Sequence, residues 1–121
     1  MDSENILKIA ANALNSKKAR GLKAIKIDDL TTLADYFLLA TATSSTHVRA
    51  LADEVEDKLK ESGVEPHHIE GRSTGWLVLD YNSVIVHVFT ANEREFYNLD
   101  GMWSDGTQID LINILDEAEG D

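Results

Sequence analysis

The sequence predicts an α/β domain with a mixed β-sheet of about five strands flanked by helices. Three features carry this expectation. A continuously apolar run, "YFLLATA" (36–42), reads as a strand buried on both faces. Hydroxyl-rich "TSST" (43–46) follows it and opens a long helical stripe. Two further apolar runs flank Tyr81-Asn82-Ser83 within "GWLVLDYNSVIVHVF" (75–89), as the arms of a hairpin flank its turn. Strands thus alternate with helices, with no repeat, linker or low-complexity stretch between them.

The elements follow in order. Ser3 is placed to cap a first helix whose apolar stripe is Ile6, Ile9, Ala10, Ala13 and Leu14. That helix is expected to end near Arg20-Gly21, with Lys17, Lys18 and Arg20 set against its C-terminal dipole. "LKAIKID" (22–28) alternates as a half-exposed strand does. After 36–42, Val48, Leu51, Ala52, Val55 and Leu59 form the stripe of the second helix; Gly63 stops it and Pro66 prevents re-entry. "HHIEG" (67–71) is short and extended, the hairpin comes next, and "NEREFYNLDGMW" (92–103) reads as helical. A last amphipathic piece, 107–121, puts Ile109, Ile112 and Leu115 on one side and ends in acids. The 121 residues are expected to form a single domain, with an acidic C-terminal tail from about 106.

Composition excludes several classes. The chain has no cysteine, so a disulfide framework, a thiolate metal site and a cysteine nucleophile are all absent. "MDSENILKIAANAL" carries acids where a secretory signal has bases, and no apolar run reaches the ~18 residues of a membrane span. A soluble, cytoplasmic protein is expected. The net charge of −11 disfavours direct nucleic-acid binding as the main mode, because phosphates are repelled on average. Charge is uneven, however. Residues 1–26 hold six bases against two acids, and residues 27–121 hold five against twenty. Such a surface attracts basic partners and also simply keeps a protein soluble.

With Asn82-Ser83 at the centre of the turn, paired positions in the hairpin sum to 165. Leu77, Leu79, Tyr81, Val84, Val86 and Val88 then share one face, an obvious core face. Trp76, Val78, Asp80, Ile85, His87 and Phe89 share the other. That second face admits two readings. It is an interface with aromatic anchors and a few fixed polar groups, or a second buried surface under a helix of the same domain.

Catalytic and cofactor chemistry finds no assembled pattern. "ATATSSTHV" after a strand could hold a phosphate, but the glycine spacing of a P-loop or dinucleotide fingerprint is missing. His67-His68 are expected on opposite sides of an extended segment, so neither metal nor other cofactor is expected. Asp80 and His87 imitate two members of a triad without a strained nucleophile turn.

Three stretches resemble the iojap family of ribosomal silencing factors: "DYFLLATATSSTHVRALADEVEDKL" (35–59), "EGRSTGWLVLDYNSVIVHVF" (70–89) and "REFYNLDGMWSD" (94–105). Their order and spacing are specific, and the similarity runs over roughly residues 5–105. The resemblance implies a nucleotidyltransferase-like fold that has lost catalysis. It further implies a translation repressor that binds the fourteenth protein of the large ribosomal subunit and blocks subunit joining under nutrient limitation. A homodimer is implied for the free protein. Carried onto this sequence, the ribosome-facing residues are Trp76, Val78, Asp80, His87 and Phe89, then Arg94, Phe96, Tyr97 and Trp103. Asn82-Ser83 stand where relatives commonly have a glycine and an acid. The alternative is a nucleotide-binding or nucleotidyl-transferring enzyme with a degenerate site, using the 43–46 turn and Asp80. Trp76, Asp80 and His87 are accordingly expected to face outward.

Overall fold

The computed structural model describes residues 1–115. Its elements are α1 (Ser3–Ser16), β1 (Arg20–Lys26), β2 (Tyr36–Ala42), α2 (Ser45–Glu61), β3 (His68–Ser73), β4 (Trp76–Asp80), β5 (Val84–Thr90), α3 (Ala91–Tyr97), α4 (Leu99–Met102) and β6 (Thr107–Ile109). The strands form one mixed sheet of six in the order β3-β4-β5-β2-β1-β6. Strand β2 runs parallel to β5, and the other neighbours are antiparallel.

The central position of β2 explains its unbroken apolar sequence. Tyr36, Leu38, Ala40 and Ala42 pack into the larger core under α1 and α2. Phe37 and Leu39 point the other way, into a smaller core completed by Leu99 and Trp103. Both faces exclude water, so neither set of positions tolerates a charge. The hairpin keeps the expected register, from Trp76 opposite Phe89 to Asp80 opposite Ile85. Asn82 takes the left-handed conformation (φ 68°), which asparagine tolerates better than most residues. The Asp80 Oδ1 accepts from the Asn82 N–H at 2.8 Å, and Tyr81 N–H donates to Val84 O at 2.9 Å, closing the turn.

Several expectations need correcting. The cap of α1 is Asp2, whose carboxylate accepts from Asn5 N–H at 2.9 Å; Ser3 is the first helical residue. That helix ends at Ser16, so Lys17 is its C-cap and Arg20-Gly21 open β1 instead. The dipole account of Arg20 therefore fails. The segment 92–103 is two short helices, because Asn98 turns left-handed (φ 50°) and its side chain caps α4 at Gly101 N–H. A sixth strand, β6, occupies part of the expected tail by pairing with β1. Leu111, Ile114 and Leu115 pack against the larger core, whereas Ile112 is exposed and does not share the face of Ile109 and Leu115. The acidic end, 116–121, lies outside the described residues.

Candidate partner-binding face

The second hairpin face does not face outward. Trp76, Val78, His87 and Phe89 are all buried, in the smaller core between the sheet and the α3–α4 segment. The reason is topological: α3 follows β5 directly, so the chain folds back over the strand it has just left. Inside this core Trp76 Nε1–H donates to His87 Nδ1 at 3.2 Å, which fixes that imidazole nitrogen as an acceptor. The Phe37 ring meets His87 edge-on at 5.1 Å. Asp80, only partly exposed, serves the turn as described and lies 3.8 Å from His68 Nδ1. Trp76, Asp80 and His87 thus each have an internal task.

Aromatic contact nonetheless runs from this core to the surface. Phe89, fully buried, lies 5.8 Å from the Trp76 ring; Trp76 lies 4.7 Å from Tyr97; Tyr97 meets Phe96 edge-on at 4.9 Å. Exposure rises along that series, from 0% at Phe89 and 8% at Trp76 to 45% at Tyr97 and 79% at Phe96. Met102 on α4 is 67% exposed. Trp103 is half-buried, edge-on to Phe37 at 4.9 Å. The α3–α4 segment therefore carries an exposed apolar ridge, with Phe96 and Tyr97 continuing the buried aromatic base. Exposed aromatics and methionine on such a base suit protein recognition.

The base is held by Arg94. Its Nε and Nη2 donate to the two carboxylate oxygens of Asp100 at 2.9 and 2.7 Å, a bidentate pair. Its Nη1 donates to Gly21 O at 2.7 Å and to Thr41 Oγ1 at 2.9 Å. The guanidinium carbon also stands 5.7 Å from the Phe89 ring centroid. Gly21 permits this approach. It sits at positive φ (54°) in the bulge of β1, where a Cβ would come within 3.1 Å of Arg94 Nη1. The Arg94 hydrogen bonds hold the Asp100 carboxyl down at about 2 despite partial desolvation, with Lys23 adding at 3.4 Å. Arg94 was expected to face a partner; instead it ties α3 and α4 to the sheet. Its pairing with Asp100 crosses the break at Asn98 and has no helical spacing, so the sequence alone gave no sign of it. A signal for the break was present: asparagine is a known left-handed C-cap.

The elements of the alternative enzyme site are not brought together. Asp80 pairs with Ile85, itself opposite Phe37, while Ala42 before the 43–46 turn lies opposite Thr90. Five strand steps separate the two, roughly 16 Å. The rings of His67 and His68 lie 5.7 Å apart, closer than two sides of a strand allow, because β3 begins only at His68. Among the described residues no three His, Asp or Glu are grouped to hold a metal ion.

The whole chain, residues 1–121, matches the family model described as ribosomal silencing factor during starvation. The chain belongs to this ribosomal silencing factor family. It is 38% identical to the ribosomal silencing factor RsfS of Bacillus subtilis over 112 residues, 92% of this chain and 95% of that protein. With the RsfS of Halalkalibacterium halodurans it shares 33% identity over 116 residues, 95% of this chain and 99% of the other. A crystal structure of a Chromobacterium violaceum protein matches with a TM-score of 0.83 at 34% identity, covering 86% of this chain and 88% of that one. Ribosome silencing is the family's function, and regulation of translation is the class in which membership places this chain. No helix among the described residues is long and apolar enough to cross a membrane.

Proposed function

We propose that this chain represses translation by binding the large ribosomal subunit through its fourteenth protein. Bound there, it blocks joining of the small subunit in the cytoplasm when nutrients are short. The supporting observation is the exposed ridge of Phe96, Tyr97 and Met102, raised on the Trp76–Phe89 base and clamped by Arg94. Phe96 and Tyr97 touch the partner in this reading, with Trp103 and Asp80 at the margin. Trp76, Val78, His87 and Phe89 shape the ridge from beneath. An acidic chain carrying an apolar ridge suits a basic protein, whose charge speeds encounter while the apolar contact slows release.

The mechanism needs affinity and position, not catalysis. A dissociation constant between micromolar and nanomolar, about −8 to −12 kcal/mol, is enough. The separation of Asp80 from the 43–46 turn supports a non-enzymatic reading over nucleotidyl transfer. In the free protein the same ridge is available to a second copy, so a homodimer that dissociates on ribosome binding is part of the proposal. The test is sedimentation with purified subunits. The chain should travel with large subunits and not small ones, and should lower the fraction of joined ribosomes. Equal binding to both subunits, or undiminished joining at saturation, refutes the proposal.

A further inference from the structure

Of the three bases in Lys17-Lys18-Ala19-Arg20, only Lys17, the C-cap, is close enough to α1 to answer its dipole; Lys18 and Arg20 lie beyond it. Strand pairing brings the start of β1, the ends of β2, β3 and β5 and the start of β4 to one end of the sheet, where α2 also begins. The connections there, 17–19, 43–44 and 74–75, and the β5–α3 junction contain no Asp or Glu. Those at the opposite end, 27–35, 62–67, 81–83 and 103–106, contain Asp28, Asp29, Asp35, Glu65 and Asp105 and neither Lys nor Arg. A chain of net charge −11 thus has a basic pole. Two acids approach it. Asp100 is engaged by Arg94 and Lys23, and Glu93 has its Cγ against Gly75 before β4, three strands from β1 and roughly 14 Å away.

The bases at this pole are exposed, fixed in place and kept at a cost. Among the described residues Lys17, Lys18, Arg20 and, in α2, Arg49 enter no ion pair. His47 Nδ1 accepts from Thr43 N–H at 2.9 Å and its Nε2–H donates to Lys17 O at 2.8 Å, which holds the basic loop against the start of α2. Lys18 takes φ 65°, a left-handed strain that Gly63 avoids in the same place after α2. Strain held by a side chain with no partner in the fold points to a function. None of the connections at this end carries an exposed large apolar side chain; their other groups are hydroxyls and backbone.

We propose that this pole contacts the phosphate backbone of ribosomal RNA beside the protein that the ridge binds, through Lys17, Lys18 and Arg20, with Arg49 extending the surface. The inference rests on the large subunit being the target. Lys, Arg and hydroxyls without apolar anchors are the groups that hold a nucleic-acid backbone, whereas a protein interface or a membrane surface needs apolar contact as well. The two surfaces also keep a fixed relation. Arg94, which clamps the ridge, donates to Gly21 O next to Arg20. Because the chain as a whole repels RNA, this contact adds to the ridge and does not replace it.

The test compares the full chain with its Lys17→Gln/Lys18→Gln/Arg20→Gln, Lys18→Gly and Phe96→Ala variants. Sedimentation gives the affinity for large subunits between about 50 and 200 mM salt, and binding to the isolated fourteenth protein is measured beside it. Hydroxyl-radical footprinting shows which RNA the bound chain covers. The triple variant should bind subunits about tenfold more weakly, with the slope of log affinity against log salt shallower by about 2, and should bind the isolated protein as before. It should also uncover a stretch of RNA that the unaltered chain protects. Lys18→Gly should lose part of the affinity with no loss of Tm, an effect that unfolding does not imitate. Phe96→Ala should weaken both kinds of binding at unchanged slope; if it alone has no effect, the ridge fails and the RNA contact stands. Three results overturn the inference: unchanged affinity and slope in the triple variant, an equal loss toward the isolated protein, or no RNA protected by the unaltered chain.

Discussion

Replacing Arg94 by alanine separates an internal clamp from a partner contact. The Arg94 side chain is 15% exposed and that of Asp100 32%. Alanine removes two hydrogen bonds to Asp100 and one each to Gly21 O and Thr41 Oγ1, leaving Asp100 only Lys23 at 3.4 Å. Breaking a fully buried pair costs about 3–5 kcal/mol, so about 2–3 kcal/mol is expected where one partner is a third exposed. For a domain of this size that lowers Tm by roughly 10 °C. Phe96→Ala provides the contrast. At 79% exposure its ring contributes little to the fold, so Tm should move by less than about 2 °C. If Phe96 anchors a partner, its loss should weaken large-subunit binding by about 2 kcal/mol. Thermal melts and sedimentation binding on the two variants decide the matter. An Arg94→Ala protein of unchanged Tm that no longer binds would refute the clamp and return Arg94 to the interface. A double cycle with Asp100→Ala should show a coupling of about 1–3 kcal/mol between the pair.

Further predictions concern the rest of the fold. Tyr81 is buried, its hydroxyl has no partner among the described residues, and desolvation pushes its ionisation up. Tyr81→Phe should therefore raise stability by about 1 kcal/mol in denaturant melts, and a loss of that size would reveal an unseen partner. Lys18 follows the C-cap of α1 at φ 65°, in the place that Gly63 takes after α2, with the same pair of closing hydrogen bonds. Lys18→Gly relieves about 1–2 kcal/mol of left-handed strain against about 0.5–1 of added unfolded-state entropy, for a net gain near 0.5–1 kcal/mol. A lower Tm in that variant would refute the strain. Asp100 titrates at about 2 in the fold against 3.8 for a free carboxyl. A depressed carboxyl stabilises above the unfolded value, and its contribution is lost as pH falls from about 4 toward 2. The shift corresponds to about 2 kcal/mol if fully buried, and solvent at a carboxylate 32% exposed reduces it to about 1. Asp100→Asn should flatten that part of the stability–pH curve; an unaltered acid limb contradicts the assignment.

Local chemistry in the sequence determined much of this molecule. The unbroken apolar run of 36–42 marked a strand with two buried faces, because a charge on either face has nowhere to go. Alternation about Asn82-Ser83 set the hairpin register residue for residue, since a slip by one would have turned Leu79 and Val86 to the wrong face. A cap within "TSST" (43–46) was legible because such a hydroxyl acts within one turn, and the structure gives the place to Ser44, which accepts from His47 N–H. Family membership was legible too, in three stretches whose spacing the fold requires. Which side of the hairpin meets water was not legible. Trp76, His87 and Phe89 have the same alternation whether they face a partner or a helix of their own chain, and only the return of α3 and α4 over β5 decided between them. The same holds for Arg94 and Asp100, six residues apart across a helix break, and for β6, whose three residues become a strand by meeting the edge of β1. Contacts distant in sequence leave no periodic mark on it. They are set by where the backbone closes, and there the tertiary structure put Phe96, Tyr97 and Met102 on the surface and their neighbours beneath.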